Sequence, residues 1–222
     1  MNSLLQLLPF ATSIYLLSDD ITNHLTVYHL TSTGYIRLQK NNITGTIPSE
    51  VGLLSNLQEF WVHQTDMSGE IPTGIGSLSK LKDLRVFGTH MSGTLPDELY
   101  TLRQIDRLDL YDSNFSGTIS TKIGQLSTLD IFRISGNKFS GTLPTELGQL
   151  TQLQQAWFKY NRFEGMVPSG LCELREEKTL VQLSADCKAT QDNGTALVDC
   201  PSGCCTVCCE TETQTCLSVH DG

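Results

Sequence analysis

A 24-residue period dominates this chain of 222 residues. Leu57, Leu81, Ile105, Leu129 and Leu153 open successive copies, and a partly matching copy runs from Thr33. Each copy follows the pattern LxxLxLxxxxLSGxIPxxLGxLxx, as in "LDIFRISGNKFSGTLPTELGQLTQ" from Leu129 to Gln152. Alternating apolar residues such as Leu84 and Val86, or Leu108 and Leu110, predict a short strand with one face buried and the other toward solvent. Gly45, Gly69, Gly93, Gly117, Gly141 and Gly165 mark a turn with little room for a side chain. Prolines 48, 72, 96, 144 and 168 follow three residues later and stop a ladder from continuing. Ser120 replaces the proline in one copy, which predicts a looser turn there.

One copy is too small to bury its own apolar residues. Stacked copies form a continuous core under a parallel sheet, so the period predicts a solenoid with capped ends. Asn41, Asn137 and Asn161 stand where a side-chain amide can bond the neighbouring coil's backbone. Thr65, Thr89 and Ser113 hold that position in the middle copies and can satisfy fewer groups. The last copy breaks rank: "LVQLSADC" starts 27 residues after Leu153, which predicts an outward shift of the final strand.

The "SGTLP" and "TGTIP" segments after each strand resemble the plant-specific class of leucine-rich repeat, over residues 33–187. That resemblance implies an α/β-class leucine-rich-repeat solenoid of about six 24-residue repeats. Its curved parallel β-sheet lines the concave face, and the convex side is mostly irregular or short helical. It also implies extracellular recognition of a peptide, protein or polysaccharide on that face. Residues 1–32 then form a degenerate amino-terminal repeat or cap, or a weak signal segment, and residues 188–222 a cysteine-rich tail.

The formal charge of −9 argues against nucleic acid as a partner, because no Lys and Arg cluster offers a phosphate-binding surface. No apolar run is long enough to span a bilayer, so a membrane enters only through a segment outside this chain. The tail is acidic: nine Asp or Glu stand against Arg175, Lys178 and Lys188 in residues 172–222.

Residues 172–222 also hold every cysteine: Cys172, Cys187, Cys200, Cys204, Cys205, Cys208, Cys209 and Cys216. A zinc site around Cys205 and Cys208 lacks the second knuckle such sites pair with. Four disulfides explain the clustering better, since a short polar segment needs cross-links to hold together. Cys172 with Cys187 is the preferred single pairing, and connectivity is otherwise open. Sequons at Asn42, Asn114 and Asn193 agree with an oxidising, extracellular or cell-surface location.

The outward strand residues line up in columns. The first is Arg37, Trp61, Arg85, Asp109, Arg133 and Trp157; the next is Gln39, His63, Phe87, Tyr111, Ser135 and Lys159. Beside them run Lys40, Gln64, Gly88, Asp112, Gly136 and Tyr160. Strands stack about 4.8 Å apart, which puts Trp61 and Trp157 roughly 19 Å from each other, a spacing suited to a peptide or glycan chain. The candidate ligand-binding residues are therefore Arg37, Trp61, His63, Arg85, Phe87, Asp109, Tyr111, Arg133, Trp157, Lys159 and Tyr160, acting by aromatic stacking and by Arg or Asp pairing. The same columns also fit a structural role, because aromatic residues favour strands and stack on neighbours without any ligand. A cell-wall or matrix spacer is thus the alternative to a receptor-like binding module.

No convergent acid, base or nucleophile predicts an enzyme, and no cofactor or metal is implied. Thr46, Thr94, Thr118 and Thr142 form a ladder that could order water, interrupted by Glu70 and Met166.

Overall fold

A computed structural model describes residues 13–15, 34–177, 179–186, 200, 204–209 and 216–218. Its main sheet is built from β1 (Ser13–Tyr15), β2 (Tyr35–Arg37), β4 (Glu59–Trp61), β6 (Asp83–Arg85), β8 (Arg107–Asp109), β10 (Ile131–Arg133), β12 (Gln155–Trp157), β14 (Gln182–Asp186), β15 (Val207–Cys209) and β16 (Cys216–Ser218). These ten strands lie in chain order, every pair parallel except the last. Pairs from β2 to β12 keep a strict 24-residue offset, as in Arg37↔Trp61 and Arg85↔Asp109, so equivalent residues of successive copies stand side by side.

A second parallel sheet, which the sequence pattern did not signal, joins β3 (Thr44–Gly45), β5 (Asp66–Gly69), β7 (His90–Gly93), β9 (Asn114–Gly117), β11 (Lys138–Thr142) and β13 (Arg162–Glu164). Five of these strands bury one residue toward the core, Met67, Met91, Phe115, Phe139 and Phe163, and in the first copy Ile43 does so just before β3. Phe115, Phe139 and Phe163 stack with centroids 6.4 and 6.2 Å apart. From the other side come Leu84, Val86, Leu108 and Leu110 and their equivalents, all fully buried. The third wall is a row of 310 turns, Ser49–Leu53, Thr73–Ser77, Asp97–Thr101, Thr121–Gln125 and Thr145–Gln149, which bury Val51, Ile75, Leu99, Ile123 and Leu147.

The small residues follow from the stacking distance. Gly69 has φ +82°, and a β-carbon there would lie 2.8 Å from the Thr46 methyl of the preceding copy. Gly74 sits in a 310 turn where a β-carbon would come within 2.2 Å of the Ser49 carbonyl oxygen. The threonine ladder thus packs its methyls against the next copy's glycines, as Thr94 does on Gly117.

Two expectations about the repeat geometry are corrected. The Ser120 turn is no looser than its neighbours: its φ −69°, ψ 145° matches Pro72 at −71°, 151°. The serine hydroxyl accepts from the Lys122 N–H at 3.3 Å, and its own N–H donates to the Tyr100 hydroxyl at 3.4 Å, which holds the conformation without a ring. Nor is the last strand displaced. The extra residues are taken up on the convex side by α1 (Ser169–Glu176), an eight-residue helix where the other copies have 310 turns, so β14 pairs with β12 in register, Trp157 opposite Ser184.

The cysteine tail continues the sheet through β15, whose Val207 pairs with Ser184. Cys172 pairs with Cys204, not with Cys187, their Cα atoms 4.9 Å apart, and Cys200 pairs with Cys205. The first bridge ties α1 to the segment entering β15. Cys204 and Cys205 are buried against the end of the core, which explains why the tail reaches back to the helix. Cys187 and Asn193 lie outside the described residues.

Asn137 and Asn161 bond the neighbouring coil as expected, and Asn41 donates to Leu38 and Gln39 of its own coil. Asn137 donates to the carbonyls of Leu110, Ile134 and Ser135 at 2.8, 3.1 and 3.2 Å and accepts from the Phe115 N–H at 2.9 Å, so one amide bridges two coils. The Thr65 hydroxyl donates to Val62 O of its own coil at 2.7 Å. Removing a buried partner strands each group it served, at about 1–3 kcal/mol per group. Asn137→Ala strands the Leu110 carbonyl and the Phe115 N–H of the preceding coil, while Ile134 keeps its bond from Asn161, and should therefore destabilise by about 2–6 kcal/mol, against about 1–3 kcal/mol for Thr65→Ala, in denaturant unfolding. Equal losses would remove the inter-coil role of Asn137.

Candidate functional site

The strands aim three columns of side chains at the concave face. Besides the columns at Arg37 and Gln39, there is one that sequence reading passed over: Tyr35, Glu59, Asp83, Arg107, Ile131 and Gln155. The signal was present, since the alternation that exposes Arg37 exposes Tyr35 as well. This column supplies the acids. Arg37 donates to Glu59 at 2.7 Å, and Arg85 clasps Asp83 through two nitrogens at 2.9 and 2.6 Å. Arg107 lies 3.9 Å from Asp83 and 3.6 Å from Asp109, and Arg133 lies 3.5 Å from Asp109 and also donates to Gln155. Together they form a ladder of alternating charge along the sheet.

Asp109 was expected on the wet surface. It is only 1% exposed, because Arg107 and Arg133 close over it, so it anchors the arginines from beneath. Burial raises its pKa, against the pull of Arg133, Arg107 and Arg85. Burial likewise works against the Arg85 charge, but the Asp83 bonds prevail and hold its pKa above the ordinary arginine value.

The aromatic residues form a ridge. His63 and Phe87 stack at 4.1 Å and 12°, and Phe87 and Tyr111 at 4.2 Å and 11°. Trp61 tilts against one end at 6.4 Å and Trp157 against the other at 6.2 Å. Arg37 and Arg85 sit over the Trp61 ring at 4.4 and 4.1 Å, and Arg133 over Trp157 at 4.2 Å. The ring faces of Trp61 and Phe87 are thus engaged on both sides within the protein, where a ligand meets mainly ring edges and guanidinium groups, while Trp157 is covered by an arginine on one face only.

The third column of the sequence reading is a turn. Lys40, Gln64, Asp112 and Tyr160 all have φ between 51° and 58°, in register with Gly88 and Gly136, so these residues end the strand and bend the chain toward the second sheet. Lys159 reaches back over the Tyr160 ring at 5.1 Å.

Several buried polar atoms of the face have no hydrogen-bond partner: Gln39 Oε1, Trp61 Nε1, His63 Nδ1, Asp109 Oδ1, Arg133 Nε and Ser184 Oγ. Beyond Trp157 the face opens into a recess of about 410 Å3 lined by Trp157, Lys159, Val181, Gln182, Ser184 and Thr206. Among the described residues, no group of three or more His, Cys, Asp or Glu could hold a metal, and no helix is long and apolar enough to cross a membrane. Asn42 is exposed and Asn114 half-buried, at equivalent positions where the second sheet begins.

His63 is buried, and its pKa falls to about 4 through desolvation, with Arg85 and Lys40 adding to it. The folded state holds a neutral imidazole that the unfolded chain protonates near its ordinary value of 6.5. The stability this contributes is complete above pH 6.5 and is lost as the pH falls toward 4. His63→Phe keeps a ring in the stack and removes that titration, so its melting temperature should fall less than the wild type's between pH 7 and pH 4.5. Parallel falls would contradict a neutral, buried His63.

Residues 125–150 match the Leucine Rich Repeat family model. No curated protein matches the chain. Among solved structures it is similar to a TDR receptor, at 30% identity and TM-score 0.68 over 72% of this chain and 27% of that one. The ectodomain of the Arabidopsis thaliana receptor kinase GASSHO1/SCHENGEN3, solved with CASPARIAN STRIP INTEGRITY FACTOR 2, is 28% identical with TM-score 0.67, over 79% of this chain and 22% of that one. The Arabidopsis receptor kinase HAESA, solved with the peptide hormone IDA and the co-receptor SERK1, is 26% identical with TM-score 0.68, over 72% and 27%. The chain spans about a quarter of the length of these structures.

Proposed function

Taking the chain as a leucine-rich-repeat solenoid of the kind found in plant receptor ectodomains, we propose that it is a non-catalytic, receptor-like recognition module whose concave face binds an extended peptide or protein segment outside the cell. The observation that carries this reading is the run of unpartnered buried polar atoms from Gln39 to Ser184 along one face. A chain laid across the strands offers an amide group every few ångströms, which suits such a row of donors and acceptors. Charge agrees: the face carries Arg37, Lys40, Arg85, Arg107, Arg133 and Lys159 against Glu59, Asp83, Asp109 and Asp112, a positive excess in a chain of net charge −9. The ligand is therefore acidic. A polysaccharide fits less well, because apart from one face of Trp157 the ring faces that would stack on sugars are covered by one another and by arginines.

The extracellular setting draws on the disulfides at Cys172–Cys204 and Cys200–Cys205, on the exposed sequon at Asn42, and on the ectodomains it resembles. One observation favours the spacer alternative: the ion-pair ladder and ring ridge largely satisfy themselves, as a rod without a ligand would require.

Panning the immobilised protein against a random peptide library separates the two. Acidic sequences should be enriched, and Arg85→Ala with Arg133→Ala should weaken their binding tenfold or more, the loss of roughly 1.4 kcal/mol or greater, with the fold intact by circular dichroism. No enrichment, or enrichment indifferent to both substitutions, favours the spacer.

A further inference from the structure

The recess at the carboxyl end of the concave face is a separate feature from the arginine ladder. Down the first column the residues are large until Trp157, and the next register partner is Ser184. Arg133 covers one face of the Trp157 ring at 4.2 Å. Toward β14 the small serine leaves a gap of about 410 Å3, near the lower end of the range for ligand sites. The gap exists because the cap continues the sheet: Thr206, just before β15, forms its far side.

The chemistry of the walls is specific. Val181 is 53% exposed, an unusual position for a large apolar side chain, and with Trp157 it makes an apolar rim. The Thr206 hydroxyl is committed to the Leu183 backbone, accepting from its N–H at 3.0 Å and donating to its carbonyl at 2.8 Å. Ser184 is 5% exposed, yet its hydroxyl has no hydrogen-bond partner. A buried hydroxyl left so is unfavourable until something polar enters. Lys159 adds a cation at the rim.

We propose that this recess is an anchor site for a phenol side chain, a tyrosine of the bound segment, whose ring packs between Trp157 and Val181 and whose hydroxyl bonds Ser184 Oγ. This deepens the recognition reading and rests on it for the identity of the occupant. The recess admits one aromatic side chain, not a folded domain. A purely aliphatic group fills the volume but leaves the serine unsatisfied, which is the basis of selectivity.

The test uses p-cresol as the side-chain probe and toluene as the same body without the hydroxyl. The chain has two tryptophans, so the indole N–H region of a 15N correlation spectrum carries two signals, assigned with Trp61→Phe. p-Cresol should shift the Trp157 indole saturably and leave Trp61 in place, and toluene should bind more weakly. Ser184→Ala should weaken p-cresol by roughly threefold to tenfold and leave toluene unchanged. Ser184→Phe should fill the recess and abolish both. Val181→Ser, at an exposed position that does not threaten folding, should weaken both probes. The proposal fails if neither probe shifts Trp157 saturably, if both indoles move together, or if Ser184→Ala and Val181→Ser leave p-cresol binding unchanged. Because no peptide is used, failure here with peptides still captured through Arg85 and Arg133 rejects the anchor site alone. Cresol binding without peptide capture rejects the recognition reading and keeps the cavity.

Discussion

The structure depends on in-register parallel pairing of strands 24 residues apart. A three-residue strand has almost no stability by itself. Stacked on an identical neighbour, it satisfies its backbone groups on both sides and closes a core that no copy could build alone. The demand for sameness propagates outward. Glycine 69 must be small because threonine 46 sits one copy away, and Asn137 is placed to serve the carbonyl of Leu110 in the coil before it. The cap obeys the same rule. Three additional residues become a helix on the convex side so that β14 can keep its register, and Cys172 on that helix then fastens the next strand of the sheet.

Register also makes the proposed binding surface. Because equivalent residues stand side by side, a substitution in one copy meets its counterparts in the copies above and below, and the concave face becomes a set of one-dimensional rows. In one row arginines alternate with tryptophans and bury an aspartate; in the next, three flat rings stack at just over 4 Å. Such rows are stiff. A stiff, partly unsatisfied surface loses little conformational entropy when it binds, which is what a recognition face requires.

Much of this was legible in the sequence because the period is strict. Leu57, Leu81, Leu129 and Leu153 fixed the repeat, alternation fixed which residues face outward, and the asparagine positions followed from their place after the strand. What escaped had physical reasons. The second sheet runs through "MSG" and "FSG" segments whose glycines read as turns, since a parallel ladder built of small residues has no alternating signature. Asp109 read as a surface acid because its burial needs Arg133 of the next copy to close over it together with Arg107 of its own strand, which a single copy does not reveal. Cys204 as the partner of Cys172 depended on where β15 returns to the sheet, a long-range fact that spacing does not encode.

The central claim is that recognition runs along the main sheet and nowhere else. Hydrogen–deuterium exchange with and without a captured peptide measures it directly. The account predicts added protection in the segments spanning residues 59–64, 83–88, 107–112, 131–136 and 155–160, with the 310 turns and the second sheet unchanged. Protection concentrated in the second sheet, or spread evenly over all three walls, would contradict it.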